Sequence, residues 1–211
     1  MTAIKGPSPA DLRATLARQM ETLVGRLTRW SAADWEAPSA NPGWSNRETA
    51  THLLDALTAY CTGVERRGDK ARPEFGTVEP PPPERLPWRL GNVGRRLDDL
   101  LEATEPTARV WHPDYRFSAR TLAAVALAEV VLHRWDLTGP GDRGPEPRAA
   151  RLVLQGLFSS SDDSGASPAA LLLHLSGRLR IEDRPGWSGP GWRYQLPDAV
   201  RVPGAHRDRG E

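Results

Sequence analysis

The sequence predicts a mainly α-helical protein: a four-helix bundle with a short fifth helix and a small C-terminal subdomain that contains β structure. Two observations predict the bundle. Apolar residues recur at three- and four-residue spacing in four segments of about 15 to 22 residues, and long connections join some of these segments. A third observation predicts the subdomain, because apolar and polar residues alternate near the C-terminus. We expect the bundle at residues 1–160, the subdomain at 165–202 and a disordered tail at 203–211.

The helix boundaries follow from start and stop signals as well as from apolar spacing. Ser45 and Glu48 form a predicted capping box at the start of the second helix. Prolines and glycines indicate connecting loops at residues 31–44, 71–87 and 105–117. The predicted helices span about residues 9–30, 45–67, 88–103, 118–137 and 147–158.

The C-terminal pattern indicates strands. Between residues 171 and 182, apolar residues occupy one parity and mostly polar residues the other, a period of two that is typical of β-strands. Trp192, Tyr194 and Leu196 repeat this alternation after a turn-rich segment. A helical turn at residues 167–175 is the alternative interpretation.

Composition and charge argue against several classes of protein. The chain has 28 Lys and Arg against 27 Asp and Glu, which gives no basis for a nucleic-acid-binding or membrane-binding surface. No segment reaches the ~18 apolar residues that a transmembrane helix needs, and the N-terminus lacks the apolar region of a secretory signal. The single cysteine, Cys61, excludes an intramolecular disulfide and fits a reducing cytosol. We therefore expect a cytoplasmic protein.

The fourth predicted helix carries the residues with the clearest chemistry. Residues 122–132 are apolar except at Glu129, so this helix should be buried nearly all round. A buried carboxylate without a partner is costly or takes up a proton, so Glu129 needs a cation or a strong hydrogen-bond donor. His133 lies four residues later, on the same helix face. A carboxylate oxygen and an imidazole nitrogen on one face could provide two ligands of a divalent metal ion.

A third ligand would have to come from another helix, because a catalytic zinc site usually takes three protein ligands and keeps one position open. His52 on the second helix is the best candidate, since a seam of small residues beside it would let a neighbouring helix approach closely. The other histidines are poorer candidates: His112 falls in a predicted loop, His174 on the polar parity of a predicted strand and His206 in the tail. The sequence therefore favours a site in which His52 joins the glutamate and histidine of the fourth helix.

Two other interpretations of these residues stay open at this point. Glu48 and His52 form a second E-x-x-x-H pair, which suggests a two-metal carboxylate bundle, although Glu48 is also the capping-box residue. Alternatively, Glu129 could pair with Arg134 or with an arginine of another helix, and the bundle would then hold no metal.

Neighbouring side chains have predicted roles as well. Both helical histidines are followed three residues later by an aspartate, in HLLD and HRWD. Asp136 could accept the second ring N–H of His133 and fix its tautomer. Asp55 lies on the polar arc of its helix, so we expect an ordinary surface charge there. We expect Cys61 in the core rather than as a nucleophile.

Two segments resemble the mycothiol-dependent maleylpyruvate isomerase family, which belongs to the DinB-like superfamily of four-helix metalloproteins. NPGWSNRETATHLLD resembles the part of that family in which a P-G-W turn opens the helix of the first metal histidine. AEVVLHRWDL resembles the second metal segment, with glutamate and histidine four residues apart before R-W-D. The resemblance covers about residues 8–160 and implies a DinB-like bundle with His52, Glu129 and His133 as metal ligands. The turn at residues 42–44 is interpreted as structural.

The resemblance also implies a function. Zinc or a similar divalent metal ion would bind mycothiol, the low-molecular-weight thiol of actinobacteria, at its open position and deprotonate it. The thiolate would then attack a small electrophilic substrate, which makes the protein a thiol transferase or an isomerase. The alternative is a non-catalytic metal-binding module with a stress-related or dimerisation role. Bundles of this kind can form homodimers.

Overall fold

The computed structural model describes residues 6–68, 73–139, 144–158, 166–179 and 198–201, and it confirms the mainly α-helical fold. The helices are α1 (Pro9–Leu27), α2 (Ala32–Glu36), α3 (Asn46–Glu65), α4 (Leu86–Glu102), α5 (Ala119–Thr138), α6 (Pro147–Leu157) and α7 (Pro168–Leu175). A single 3-10 turn, Pro83–Arg85, leads into α4. The strands β1 (Arg109–Trp111), β2 (Tyr115–Ser118) and β3 (Val200–Arg201) form an antiparallel sheet in that order.

The bundle consists of α1, α3, α4 and α5. Both α1 and α3 pack against α4 and against α5, so the four helices close into a ring around a shared core. Outside this ring, α6 packs on α5 and α7 packs on α6. Helix α5 is therefore covered on several sides, and its apolar residues from Leu122 to Leu132 are all buried. This burial agrees with the nearly continuous apolar sequence of α5.

Side-chain caps begin several of the helices. The predicted capping box of α3 is confirmed: Ser45 Oγ accepts from the Glu48 backbone N–H, and the Glu48 carboxylate accepts from the Ser45 backbone N–H at 2.7 Å. A second capping box, formed by Ser31 and Asp34, starts α2. The interpretation of residues 31–44 as loop throughout was therefore wrong, because S-A-A-D is a second capping signal that starts a short helix.

The predicted loop at residues 105–117 was also partly wrong, because β1 and β2 form a hairpin there. Val110 pairs with Phe117, and both side chains are fully buried against the bundle. Gly63 on α3 allows this close packing: a Cβ atom at that position would lie 2.0 Å from the Trp111 carbonyl oxygen. The hairpin thus rests on a helix surface that has no side chain at the point of contact.

The strand predicted from residue 171 begins instead as helix α7, which was the alternative interpretation. Ser167 caps this helix, and Leu171, Leu172, Leu173 and His174 are buried in succession. Consecutive burial excludes a strand with one buried face. The other predicted strand residues, 180–182 and 192–196, and the predicted tail at 203–211 lie outside the described residues. Within the described ranges, no helix is long and apolar enough to cross a bilayer.

Candidate metal centre

Helices α3 and α5 bring together the three residues that the sequence singled out as metal ligands. His52 comes from α3, and Glu129 and His133 come from α5, one turn apart. One ligand atom from each residue lies within 4.8 Å of the others. His133 is buried, whereas His52 and Glu129 are partly exposed. The cluster therefore has an accessible side.

The donor set and its spacing fit a divalent metal ion. Two imidazole nitrogens and one carboxylate oxygen are ligands that zinc and related ions accept. Glu129 Oε2 lies 3.1 Å from His133 Nε2, and ligand atoms on a tetrahedral zinc ion lie about 3.3 Å apart, given bonds of about 2.0–2.1 Å. Within the described part of the chain, these three residues are the group that could hold a metal ion.

Glu129 is charged in this setting. Burial by itself would raise the pKa of its carboxyl, but the hydrogen bond and charge of His133, together with the charges of His52 and His112, outweigh burial and lower that pKa to about 2. The imidazoles of His133, His52 and His112 therefore stabilise the charged carboxylate. Arg134, the alternative partner, donates to Gln19 Oε1 at 2.8 Å.

His133 lies between two carboxylates. Its Nε2 atom faces Glu129, and its Nδ1 atom lies 2.9 Å from Asp136 Oδ2. Burial lowers the pKa of His133, but the hydrogen bonds to Asp136 and Glu129 raise it by more than burial lowers it. The pKa of His133 therefore lies above its ordinary value. The contact with Asp136 is the one expected from H-R-W-D, and it orients Nε2 toward the other two candidate ligands.

Tyr60 is a site residue that the sequence did not reveal. Its hydroxyl donates to Glu129 Oε1 at 3.2 Å, so the second carboxylate oxygen also has a partner. Burial and the charge of Glu129 raise the pKa of Tyr60 well above its ordinary value, which keeps it a donor. Tyr60 lies eight residues after His52, two turns along α3. This spacing places Tyr60 on nearly the same face of α3 as His52, and it is the one sequence feature that could have indicated a role in the site. A role in the hydrophobic core explains the tyrosine equally well.

Arg178 is the second residue missed by the sequence analysis. It follows α7, and its guanidinium donates hydrogen bonds to both carboxylate oxygens of Asp136, from Nε to Oδ1 at 2.8 Å and from Nη2 to Oδ2 at 2.6 Å. Nothing in the local sequence connects a residue of the C-terminal segment with α5. This contact depends on how α6 and α7 return the chain to the bundle.

The remaining predicted residues lie elsewhere or have other partners. The Glu48 carboxylate is engaged by the Ser45 N–H and hydroxyl, which argues against a second metal. His174 Nδ1 contacts the Leu179 carbonyl oxygen at 3.2 Å, and His206 lies outside the described residues. The interpretation of Asp55 as a surface charge was wrong, because it is buried and accepts three backbone N–H groups from residues 76–78.

The P-G-W turn at residues 42–44 packs against the candidate site through Trp44. Trp44 packs edge-on against His52, with ring centroids 5.1 Å apart, and the His52 and His133 rings lie 5.0 Å apart in a similar orientation. Gly43 has a φ of +82°, a backbone conformation that favours glycine. The turn therefore places an aromatic ring beside His52, the candidate ligand on α3.

A bundle whose two facing helices present a glutamate and two histidines defines a class of helical protein with a candidate metal site. Residues 15–137 match the DinB superfamily. This match spans more than half of the 211 residues, and the chain belongs to that superfamily. A comparison with functionally curated proteins finds no match.

The fold is also similar to a solved structure, the crystal structure of a mutant of mycothiol-dependent maleylpyruvate isomerase. The TM-score is 0.63, and the similarity covers 84% of this chain and 92% of that chain at 15% sequence identity. At this identity the likeness concerns the fold.

Proposed function

We propose that this protein is a metal-dependent thiol transferase or isomerase that uses mycothiol or a similar low-molecular-weight thiol against a small electrophile. The observation that carries the proposal is the convergence of His52, Glu129 and His133 within 4.8 Å. The similarity of the fold to an enzyme named for its dependence on mycothiol supports the choice of thiol.

The three side chains have complementary roles in this proposal. His52 and His133 each offer a neutral ring nitrogen, and Glu129 contributes one negative charge. A divalent ion held by these groups would keep a net positive charge, and it would leave a coordinated thiol deprotonated near neutral pH. The donor set suits zinc.

Access to the site is on the side of His52 and Glu129, both of which are partly exposed. Three protein ligands leave a fourth position for a small molecule in a tetrahedral site. The low-dielectric wall formed by α5 strengthens charge interactions in the site. The thiol and the electrophile would therefore meet at the partly open face.

The reacting thiol has to come from outside the protein. Cys61 is the one cysteine of the chain, and it is buried in the core with its Sγ atom 3.8 Å from the Val93 carbonyl oxygen. Burial raises the pKa of its thiol to about 12. Such a thiol is neither ionised nor accessible at neutral pH.

Metal content is the first test. Protein purified without a histidine tag should contain near-stoichiometric zinc or another divalent metal, measured by elemental mass spectrometry. Glu129→Ala and His52→Ala should lose this metal. Glu48→Gln is the matched control, because it changes the other E-x-x-x-H pair and keeps a capping side chain. Absence of metal from the wild type, even after reconstitution, would overturn the proposal.

Thiol binding is the second test. Addition of mycothiol to cobalt-substituted protein should produce a sulfur-to-cobalt charge-transfer band in the near ultraviolet, and mycothiol disulfide should produce none. The Cys61→Ala variant should behave like the wild type, because the protein's own thiol takes no part. Metal that is retained but does not respond to thiol would favour the non-catalytic metal-binding module instead.

Product analysis separates the two activities. An isomerase releases the thiol unchanged, so a small amount of mycothiol supports many turnovers. A transferase leaves the thiol on its product and consumes one mycothiol per electrophile. Mass spectrometry of the products distinguishes these outcomes.

A further inference from the structure

Arg178, in the C-terminal segment at residues 166–179, contacts Asp136 beside the candidate metal centre. Arg178 lies beyond the residues that match the DinB superfamily, 15–137. Its Nε and Nη2 atoms form two parallel contacts with the Asp136 carboxylate, at 2.8 and 2.6 Å. This two-point geometry fixes the plane of a carboxylate, which a single contact does not do.

Asp136 depends on this partner because its side chain is completely buried. Its Oδ2 atom accepts from Arg178 and also lies 2.9 Å from His133 Nδ1. A buried carboxylate that loses its cation is strongly unfavourable. Without Arg178, the Asp136 side chain would turn toward water or take up a proton, and the contact with His133 would weaken.

The turn after α7 holds Arg178 in place. The Arg178 backbone N–H donates to the Leu173 carbonyl oxygen at 2.8 Å, and its Nη1 atom donates to the Ser176 carbonyl oxygen at 3.4 Å. Gly177 has a φ of +74°, which lets the chain reverse at this point. The side chain of Arg178 is 12% exposed. The guanidinium is therefore directed at α5 by a defined turn.

We propose that Arg178 is a positioning residue for His133: it locks the Asp136 carboxylate, which in turn fixes the ring orientation and tautomer of His133. The inference rests on the proposed metal site. In this inference the segment at residues 166–179, which lies outside the superfamily match at residues 15–137, contributes to metal affinity. Mutation of a residue that hydrogen-bonds a ligand histidine lowers metal affinity by about 10- to 100-fold. Arg178 contacts that partner, Asp136, rather than the histidine itself.

The test compares metal affinity in matched arginine variants. Arg178→Met removes the guanidinium and keeps an apolar stem, and Arg178→Lys keeps the charge but loses the two-point contact. Arg13→Met is the control, because Arg13 on α1 makes the same two contacts with Asp98 on α4, at 2.8 and 3.3 Å. The dissociation constant for cobalt and the cobalt visible spectrum are measured, with thermal unfolding of the metal-free protein as a check of folding.

The expected result is a loss of cobalt affinity of about tenfold in Arg178→Met, with altered visible bands. Arg178→Lys should lie between this variant and the wild type, and Arg13→Met should match the wild type in affinity. An affinity within twofold of the wild type in Arg178→Met would overturn the inference and leave the metal site intact. An equal loss in Arg13→Met would also overturn it, because a general loss of stability would then be the cause. If the wild type binds no cobalt, the proposed function itself fails.

Discussion

The Nε2 atom of His133 lies 3.1 Å from Oε2 of Glu129, at the position where both would bind a common metal ion. With Asp136 at the other ring nitrogen, both nitrogens of His133 face carboxylate oxygens. Both contacts favour the imidazolium form of the ring, in which a proton on Nε2 would stand where the proposed metal ion binds. A metal ion bound at the proposed site would therefore compete with a proton for this nitrogen atom.

This competition predicts that metal affinity increases with pH. Hydrogen bonds to Asp136 and Glu129 outweigh burial and hold the pKa of His133 above its ordinary value of 6.5. Below the raised pKa, each unit of pH should strengthen cobalt binding about tenfold, because one proton is displaced per metal ion. Above the raised pKa, the proton is already absent and this dependence should level off.

Calorimetric titrations in two buffers of different ionisation enthalpy count the protons released. About one proton should be released per cobalt ion below the raised pKa of His133, and this number should fall toward zero above that pKa. An affinity that is constant between pH 6 and pH 8 would show that Nε2 carries no proton in the metal-free protein.

Tyr60→Phe should weaken metal binding while the fold is preserved. The hydroxyl of Tyr60 donates to Glu129 Oε1 at 3.2 Å and leaves Oε2 for the metal. Its loss frees the carboxylate to rotate, and we expect metal affinity to fall several-fold, up to about tenfold. Stability of the metal-free protein should fall by about 1–2 kcal/mol. Tyr115→Phe removes a hydroxyl from the neighbouring hairpin and should change neither quantity by as much.

The two H-x-x-D segments should respond differently to the same substitution. Asp136→Asn removes the charge that orients His133, so metal affinity should fall by about 10- to 100-fold. Asp55→Asn should leave metal affinity unchanged, because Asp55 instead accepts the backbone N–H groups of Gly76, Thr77 and Val78. Its loss should lower the free energy of unfolding by about 1–3 kcal/mol. Equal effects of both substitutions on affinity would contradict this assignment.

The candidate ligands could be predicted from the sequence because their relationships are mostly local. Glu129 and His133 share a helix face through their spacing alone, and the apolar surroundings of Glu129 show that it needs a partner. His52 followed from elimination among five histidines and from the resemblance of two segments to one family. These arguments require only that the segments are helical and that residues four apart share a helix face. They do not depend on how the helices pack together.

The partners of the candidate ligands could not be predicted, because their contacts depend on packing between distant elements. Tyr60 has the sequence properties of a core residue, and only the approach of α5 shows that its hydroxyl meets Glu129. Arg178 meets Asp136 only after α6 and α7 have folded back onto α5. H-L-L-D and H-R-W-D share the spacing H-x-x-D, but their aspartates have different partners for the same reason.

The errors in secondary structure have a similar origin. Strands β1 and β2 contain three and four residues, which is too short for a clear alternation of apolar and polar residues. Helix α7 contains leucines on both parities, and a buried helix and a buried strand look alike over so few residues. In both cases contacts with the bundle determine the conformation.

Two glycines that lie inside helices should respond to alanine with opposite signs. At Gly63 an added Cβ would lie 2.0 Å from the Trp111 carbonyl oxygen, a backbone atom that moves only if the β1–β2 hairpin shifts. We expect Gly63→Ala to lower the free energy of unfolding by about 3 kcal/mol or more. At Gly25 in α1, nothing lies within 4 Å of the added Cβ, so Gly25→Ala should raise that free energy by about 0.5–1 kcal/mol. Chemical denaturation of both variants measures the difference. If Gly63→Ala is as stable as the wild type, the hairpin does not rest on α3 at this point, and the position of His112 beside Tyr60 would have to be revised with it.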